Sequence, residues 1–147
     1  LLAADSQTTD ICWGNILDFA GCDLLFANER EAQFAIRSQG DPYCGFKLSK
    51  LAKAQGTKAV FLKRGSAGLD VYSDAAMHTV PAYARQPIVD PIGAGDALLA
   101  YATLTYAVTK DLELAGRIGS LAAAEACAHL GNEPVTREAV MARCQQL

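Results

Sequence analysis

Hydrophobic and polar positions alternate along the chain in two different rhythms. Leu1 to Ala4 is a short apolar run ending at Asp5-Ser6, the pattern of a buried parallel strand. Trp13, Ile16, Leu17 and Ala20 then recur at helical spacing and are closed by Gly21. A second apolar run, Leu24 to Ala27, leads into Asn28-Glu29-Arg30-Glu31, which opens a helix through about Ser38. Gly40-Asp41-Pro42 reads as a turn. Phe46, Leu48, Leu51 and Ala52 predict a helix from Phe46 to Gln55, stopped by Gly56, and Ala59 to Leu62 a third buried strand.

Beyond residue 64 the texture changes. Gly65-Ser66-Ala67-Gly68 is a tight turn, Leu69, Val71 and Tyr72 resume a strand, and Met77 to Ala82 forms another. Pro87 to Val89 reads as extended. These segments fit antiparallel edge strands joined by turns. Three helices follow, from Ala94 to about Val108, Leu112 to Leu130, and Thr136 to about Gln145, with Thr136 as N-cap of the last. Gly131-Asn132-Glu133-Pro134 separates the last two. The alternation argues for an α/β fold, a mostly parallel sheet with flanking helices, and one domain over residues 1–147.

Composition narrows the classes. The chain is 51% hydrophobic and 20% charged with a net charge of −3, so a basic nucleic-acid binder and a charge-rich disordered chain are both excluded. No apolar run is long enough for a membrane span. Five cysteines, Cys12, Cys22, Cys44, Cys127 and Cys144, show no C-x-x-C spacing, and His78 and His129 are far apart, so a clustered zinc site is not expected. Small apolar core residues in a reducing, cytoplasmic setting are the plainer reading.

The densest chemical signal is Asp90-Pro91-Ile92-Gly93-Ala94-Gly95-Asp96, immediately before an Ala/Leu-rich helix. Two glycines at this spacing are expected about 0.7 times by chance, and a following Asp lowers that to roughly 0.04. A helix N-terminus carries free N–H groups and about half a positive charge, which favour an anion. The alternative is a plain strand-to-helix turn with Asp96 complementing the dipole. Asn28-x-x-Glu31 is a capping box by itself, or a carboxylate and an amide near a metal–phosphate complex. Lys63-Arg64-Gly65-Ser66-Ala67-Gly68 is a hairpin turn or a cationic nucleotide turn. Two rival phosphate motifs fail. Gly93 to Leu98 lacks the third glycine of the dinucleotide fingerprint, and Phe46 stands where a P-loop starting at Gly40 needs Lys.

The order of these three motifs resembles the C-terminal half of the ribokinase-like (PfkB) carbohydrate kinases. Asp90 to Asp96 matches that family's Asp-Thr-x-Gly-Ala-Gly-Asp signature, with Pro91 in place of Thr. Asn28 and Glu31 match its Asn-x-x-Glu, Leu62 to Gly68 its nucleotide turn, and Ile118 to Ala124 its alanine-rich helix. Ala3 to Gln7 and Leu130 to Thr136 are similar to the kinase part of bacterial heptose-phosphate kinase/adenylyltransferases.

The resemblance implies ATP-dependent phosphorylation of a sugar or sugar-phosphate hydroxyl. Asp96 is then the base, and the Gly93, Ala94 and Gly95 amides form the anion hole, where one donor is worth roughly 3 kcal/mol. Asn28 and Glu31 act on Mg²⁺ through water, because Mg²⁺ dehydrates reluctantly. Gly65 and Gly68 line the nucleotide, Ser120 and Ala123 lie near its base, and Asp90 stands by a monovalent-cation site. Lys63 replaces the family's frequent Thr, and no role transfers to it. The alternative is a nucleotide-binding or assembly module without chemistry. A complete fold of this family needs about twice this length, so an open sheet edge is expected, with either a swapped or edge-paired homodimer or poor solubility.

Overall fold

The computed structural model describes residues 1–6, 14–84 and 88–146. Five strands form one sheet in the order β1-β2-β3-β4-β5: Ala3–Asp5, Leu24–Asn28, Ala59–Lys63, Leu69–Ser73 and Met77–Val80. β1, β2 and β3 are parallel, with Ala4 opposite Leu25 and Leu25 opposite Val60. Three residues join β4 to β5 and five join β3 to β4. Neither link can make a parallel crossover, so both pairs run antiparallel. The result is the α/β fold with a mostly parallel sheet that the apolar rhythm predicts.

The helices are α1 (Glu29–Ala35), α2 (Cys44–Lys53), α3 (Ala94–Thr109), α4 (Leu112–Ala126) and α5 (Arg137–Cys144). The chain divides into two compact units. The first comprises Leu1–Arg64 and Asp70–Thr79, the second Gly65–Leu69 and Val80–Leu147.

In the first unit, the apolar runs of β2 and β3 make strands buried on both faces, whereas β1, expected from Leu1 to Ala4 as a buried strand, is half-buried and begins only at Ala3, with Leu1 and Leu2 exposed. Leu25, Ala27, Val60 and Leu62 join Ala32, Leu48 and Ala52 of the helices in one core. Leu24, Phe26 and Phe61 are also fully buried, and the Phe26 and Phe61 rings stack with centroids 4.5 Å apart. Each such side chain contributes roughly 1.5–3 kcal/mol by leaving water. Cys22 and Cys44 are buried free thiols, and burial pushes both pKa values up, as expected of core residues.

Several boundaries differ from the pattern, each for a local reason. Of the helix expected from Trp13, only one 3-10 turn at Ile16–Phe19 is seen, and Trp13 lies outside the described residues. Asn15 caps that turn and Gly21 turns left-handed at φ +101°, leaving too few residues for an α-helical nucleus. α2 starts two residues early because the Asp41 side chain accepts from the Tyr43 amide and so begins the turn. Gly45 lies within the helix, and glycine stands there because the Tyr72 ring and Leu62 are 2.6–2.9 Å from where a Cβ would be.

β5 stops at Val80, since Pro81 has no N–H for the ladder. α4 ends four residues early. The carbonyl of its C-cap, Cys127, accepts from the Val89 amide at 2.9 Å and the Asp90 amide at 3.4 Å. Pro87, expected to be extended, lies outside the described residues.

The second unit packs α3 on α4 where Gly119 meets Ala102 and the Leu98 carbonyl, each about 3.0 Å from a Cβ at 119. α5 is capped by Thr136, whose hydroxyl accepts from the Ala139 amide at 3.2 Å, as expected. Glu125 joins α4 to α5 by accepting from Arg143 Nε, and it also accepts from His129 Nε2 at 2.9 Å. The His129 hydrogen bond first, and then Arg143, hold the Glu125 carboxyl below its ordinary 4.5. A carboxyl lowered in the folded state stabilises the fold above its unfolded pKa, and this contribution is lost as pH falls through the folded value. The stability gap between wild type and Glu125→Gln, read from urea midpoints, is therefore expected at pH 7 and should close below pH 4.5. A gap that does not narrow as pH falls below 4.5 contradicts the pairing.

Candidate active site

The residues singled out from the sequence fall into both units. Asn28 and Glu31 belong to the first. Gly65, Gly68, Asp90, Gly93, Ala94, Gly95, Asp96, Ser120 and Ala123 belong to the second.

Asn28 ends β2 and caps α1. Its Oδ1 accepts from the Glu31 amide at 2.8 Å, and Glu31 Oε2 accepts from the Asn28 amide at 2.8 Å. This reciprocal pair is the capping box that the spacing allows, with Glu31 buried. Both side chains already serve the backbone, so they fit a hydrated metal ion held through water better than one bound directly. Among the described residues no group of three or more His, Cys, Asp or Glu is arranged to hold a metal.

The two cations after β3 are locally neutralised. Lys63 Nζ lies 2.5 Å from Asp5 Oδ2, pairing the ends of β3 and β1 across β2. Arg64 contacts Asp70 at 3.1 Å and Glu29 at 3.5 Å. Buried Asp70 raises the guanidinium pKa further and also accepts from the Thr79 hydroxyl at 2.9 Å. The cationic nucleotide turn suggested by Lys63-Arg64 thus carries little free positive charge.

The glycine pair in this turn divides into two jobs. Gly65 has φ +55° and, among the described residues, nothing within 4 Å of a Cβ position, so its face is open to an approaching group. Gly68 has φ +94° and a Cβ position only 2.2 Å from the Val80 carbonyl oxygen and 2.8 Å from the Ala82 amide. Here glycine is required by chain crossing chain. Ser120 grips the same segment, donating its hydroxyl to the Pro81 carbonyl at 2.9 Å. Ser120 is buried, and partly buried Ala123 lies one helical turn further along α4.

The Asp90–Asp96 loop is the best-formed element. Gly93 takes the left-handed conformation at φ +81° as the N-cap of α3. The Ala94 amide is engaged by the Pro91 carbonyl at 3.3 Å. The Gly93, Gly95 and Asp96 amides have no hydrogen-bond partner among the described residues. Asp96 sits in the first turn, exposed. Free amides at the N-terminus of a sixteen-residue helix, with small residues around them, fit an anion such as the phosphate chain of a nucleotide.

Asp90 is occupied in shaping this loop. Its Oδ1 accepts from the Ile92 amide at 2.9 Å and its Oδ2 from the Gly131 amide at 3.0 Å. Asn132 was given no site role from sequence, where residues 131–134 read as a helix breaker within a stretch that resembles heptose-phosphate kinases. Its Oδ1 lies 2.2 Å from where a Cβ on residue 93 would be. The only sequence signal was Gly131, which is left-handed at φ +77°.

The family pattern of the pfkB carbohydrate kinases matches residues 10–137. Among solved structures, the fold is similar to ribokinase from Thermotoga maritima (TM-score 0.73, 25% identity), covering 86% of this chain and 43% of that one. Adenosine kinase from Sinorhizobium meliloti is 26% identical, with TM-score 0.73 and coverage of 88% and 39%. Arabidopsis thaliana ribokinase, solved with ribose and ATP, shares the fold at TM-score 0.78 and 22% identity, with coverage of 96% and 46%. The chain thus spans less than half the length of each of these structures. With the family pattern covering most of its length, on a sheet and helix arrangement of the ribokinase type, the chain belongs to the pfkB family of carbohydrate kinases.

Proposed function

We propose that this chain is the nucleotide-binding and catalytic part of an ATP-dependent kinase that phosphorylates a hydroxyl of a sugar or sugar phosphate. The observation that carries this reading is the left-handed turn at Gly93. It opens α3 with the Gly95 and Asp96 amides unpartnered and sets an exposed carboxylate in the same helical turn. Phosphoryl transfer needs little more from a protein than such placement of donors and a base.

In this reading Asp96 takes the proton from the attacking hydroxyl, and the amides of Gly93, Gly95 and Asp96 receive the transferring group. Of the three amides expected at the sequence level, the one on Ala94 serves the turn. The open face of Gly65 lies against the nucleotide. Gly68, Ser120 and Ala123 shape the wall near the base, the first two through the Val80–Ala82 segment that both hold. ATP supplies the phosphoryl group when bound. Asn28 and Glu31 act on Mg²⁺ through water, and Asp90 stands by a monovalent cation while holding the loop. Free cysteines among the described residues fit a cytoplasmic setting, and no helix among them is long and apolar enough to cross a membrane. A homodimer and a heptose phosphate acceptor complete the proposal.

The test uses the full-length gene product with ATP and Mg²⁺ against a panel of sugars, sugar phosphates and nucleosides. Expected is ADP release that depends on one acceptor class, with phosphate found on its hydroxyl. Tight nucleotide binding with no transfer to any acceptor points instead to a binding or assembly module.

A further inference from the structure

The α4–α5 connection touches the Asp90–Gly93 loop at several points, all within the second unit. The Cys127 carbonyl takes the Val89 amide at 2.9 Å. The Gly131 amide donates to Asp90 Oδ2 at 3.0 Å, while Asp90 Oδ1 holds the Ile92 amide at 2.9 Å. One carboxylate thus joins the two segments. The Asn132 side chain then lies directly on Gly93, in the space a Cβ would need.

The softest part of this loop is Gly93 itself. A glycine has several backbone basins of similar energy, so nothing intrinsic keeps it at φ +81°. If it left that basin, the Gly95 and Asp96 amides would no longer point out from the helix end together. An anion site works only when its donors are already in place, and small misplacements of reacting groups are costly. Asn132 fills the space beside Gly93 and removes room for that swing. It is exposed, so truncating it leaves no buried polar group behind.

We propose that the α4–α5 connection clamps the phosphoryl-transfer loop, and that Asn132 is a positioning residue acting by packing on Gly93. This rests on the reading of the Gly95 and Asp96 amides as the anion site. Asp90, in the same clamp, fixes the loop from the other side by bonding Ile92 and Gly131.

Two variants of the full-length gene product test the idea. Asn132→Ala empties the space over Gly93, and Asn132→Leu refills it with a side chain of similar shape and no carboxamide. Expected for Asn132→Ala is a fall in kcat on the order of 10-fold, with KM for ATP nearly unchanged, the split that loss of preorganisation produces. The melting midpoint should stay close to wild type, and Asn132→Leu should recover most of the kcat.

A readout independent of activity is exchange of the Ala97 amide, which donates to the Gly93 carbonyl at 2.9 Å. It should accelerate in Asn132→Ala and return towards wild type in Asn132→Leu. Equal loss of kcat in both variants overturns the proposal, because the carboxamide itself is then needed. Wild-type kcat and wild-type exchange in both overturn it too, as does a large fall in melting midpoint that accompanies the activity loss. If the wild-type protein transfers no phosphate to any acceptor, the kinase reading fails, while Ala97 exchange still decides the clamp.

Discussion

Asp96→Asn in the full-length gene product is expected to lower turnover by at least about 100-fold, the scale of a lost general base. Asn has nearly the same shape as Asp and accepts a proton far less readily. The first turn of α3 should therefore keep its form while the proton loses its acceptor. Removing one negative charge from a helix N-terminus costs only about 0.3–1 kcal/mol, so the variant should fold almost as stably as wild type. ATP affinity should change little, because the backbone amides proposed to receive the phosphates are untouched. Steady-state kinetics with nucleotide titration decide the matter. Turnover within a few-fold of wild type would remove Asp96 from the base role and leave it as a charge complementing the helix dipole.

The second large effect is on stability. Gly68→Ala is expected to cost about 3 kcal/mol or more, combining roughly 1–2 for a left-handed non-glycine residue with 1–3 for overpacking. The methyl would meet the Val80 carbonyl oxygen at 2.2 Å and the Ala82 amide at 2.8 Å, both backbone atoms that cannot rotate away. Gly65→Ala, in the same turn at φ +55° with no described residue within 4 Å, should cost only the conformational part, about 1–2 kcal/mol. Urea midpoints of the two variants measure the contrast. Equal losses would mean that the Val80–Ala82 segment yields, and that Gly68 is there only for its backbone angle. The pair separates two uses of glycine that look identical in the sequence.

That separation marks how far the sequence could be read. The Asn28–Glu31 spacing announced its capping box, and both reciprocal bonds form. The Gly-Ala-Gly-Asp run announced a helix start, and α3 begins at Ala94, within that run. Which amides remain free was not legible, since this depends on the Pro91 carbonyl turning back on Ala94. Lys63 and Arg64 looked like charge for a nucleotide, yet their nearest partners are carboxylates on β1, β4 and α1. Asp5 is 58 residues from Lys63 along the chain and adjacent only because β1, β2 and β3 lie side by side. Ser120, expected beside a nucleotide base, reaches the Pro81 carbonyl 39 residues earlier.

By itself, the sequence determined what is encoded at short range. Apolar runs of four set the buried strands β2 and β3, helical spacing set the longer helices, and caps such as Asn28 and Thr136 set their starts, because these interactions span four residues or fewer. The motif order was likewise enough for the family. Tertiary structure alone decided where helices stop against other segments, as α4 does at Cys127 under the Val89 and Asp90 amides. It also decided which charges are already paired and which glycines are crowded. Those outcomes depend on contacts between residues tens of positions apart, and a pattern local in sequence carries no record of which atom will stand 3 Å away.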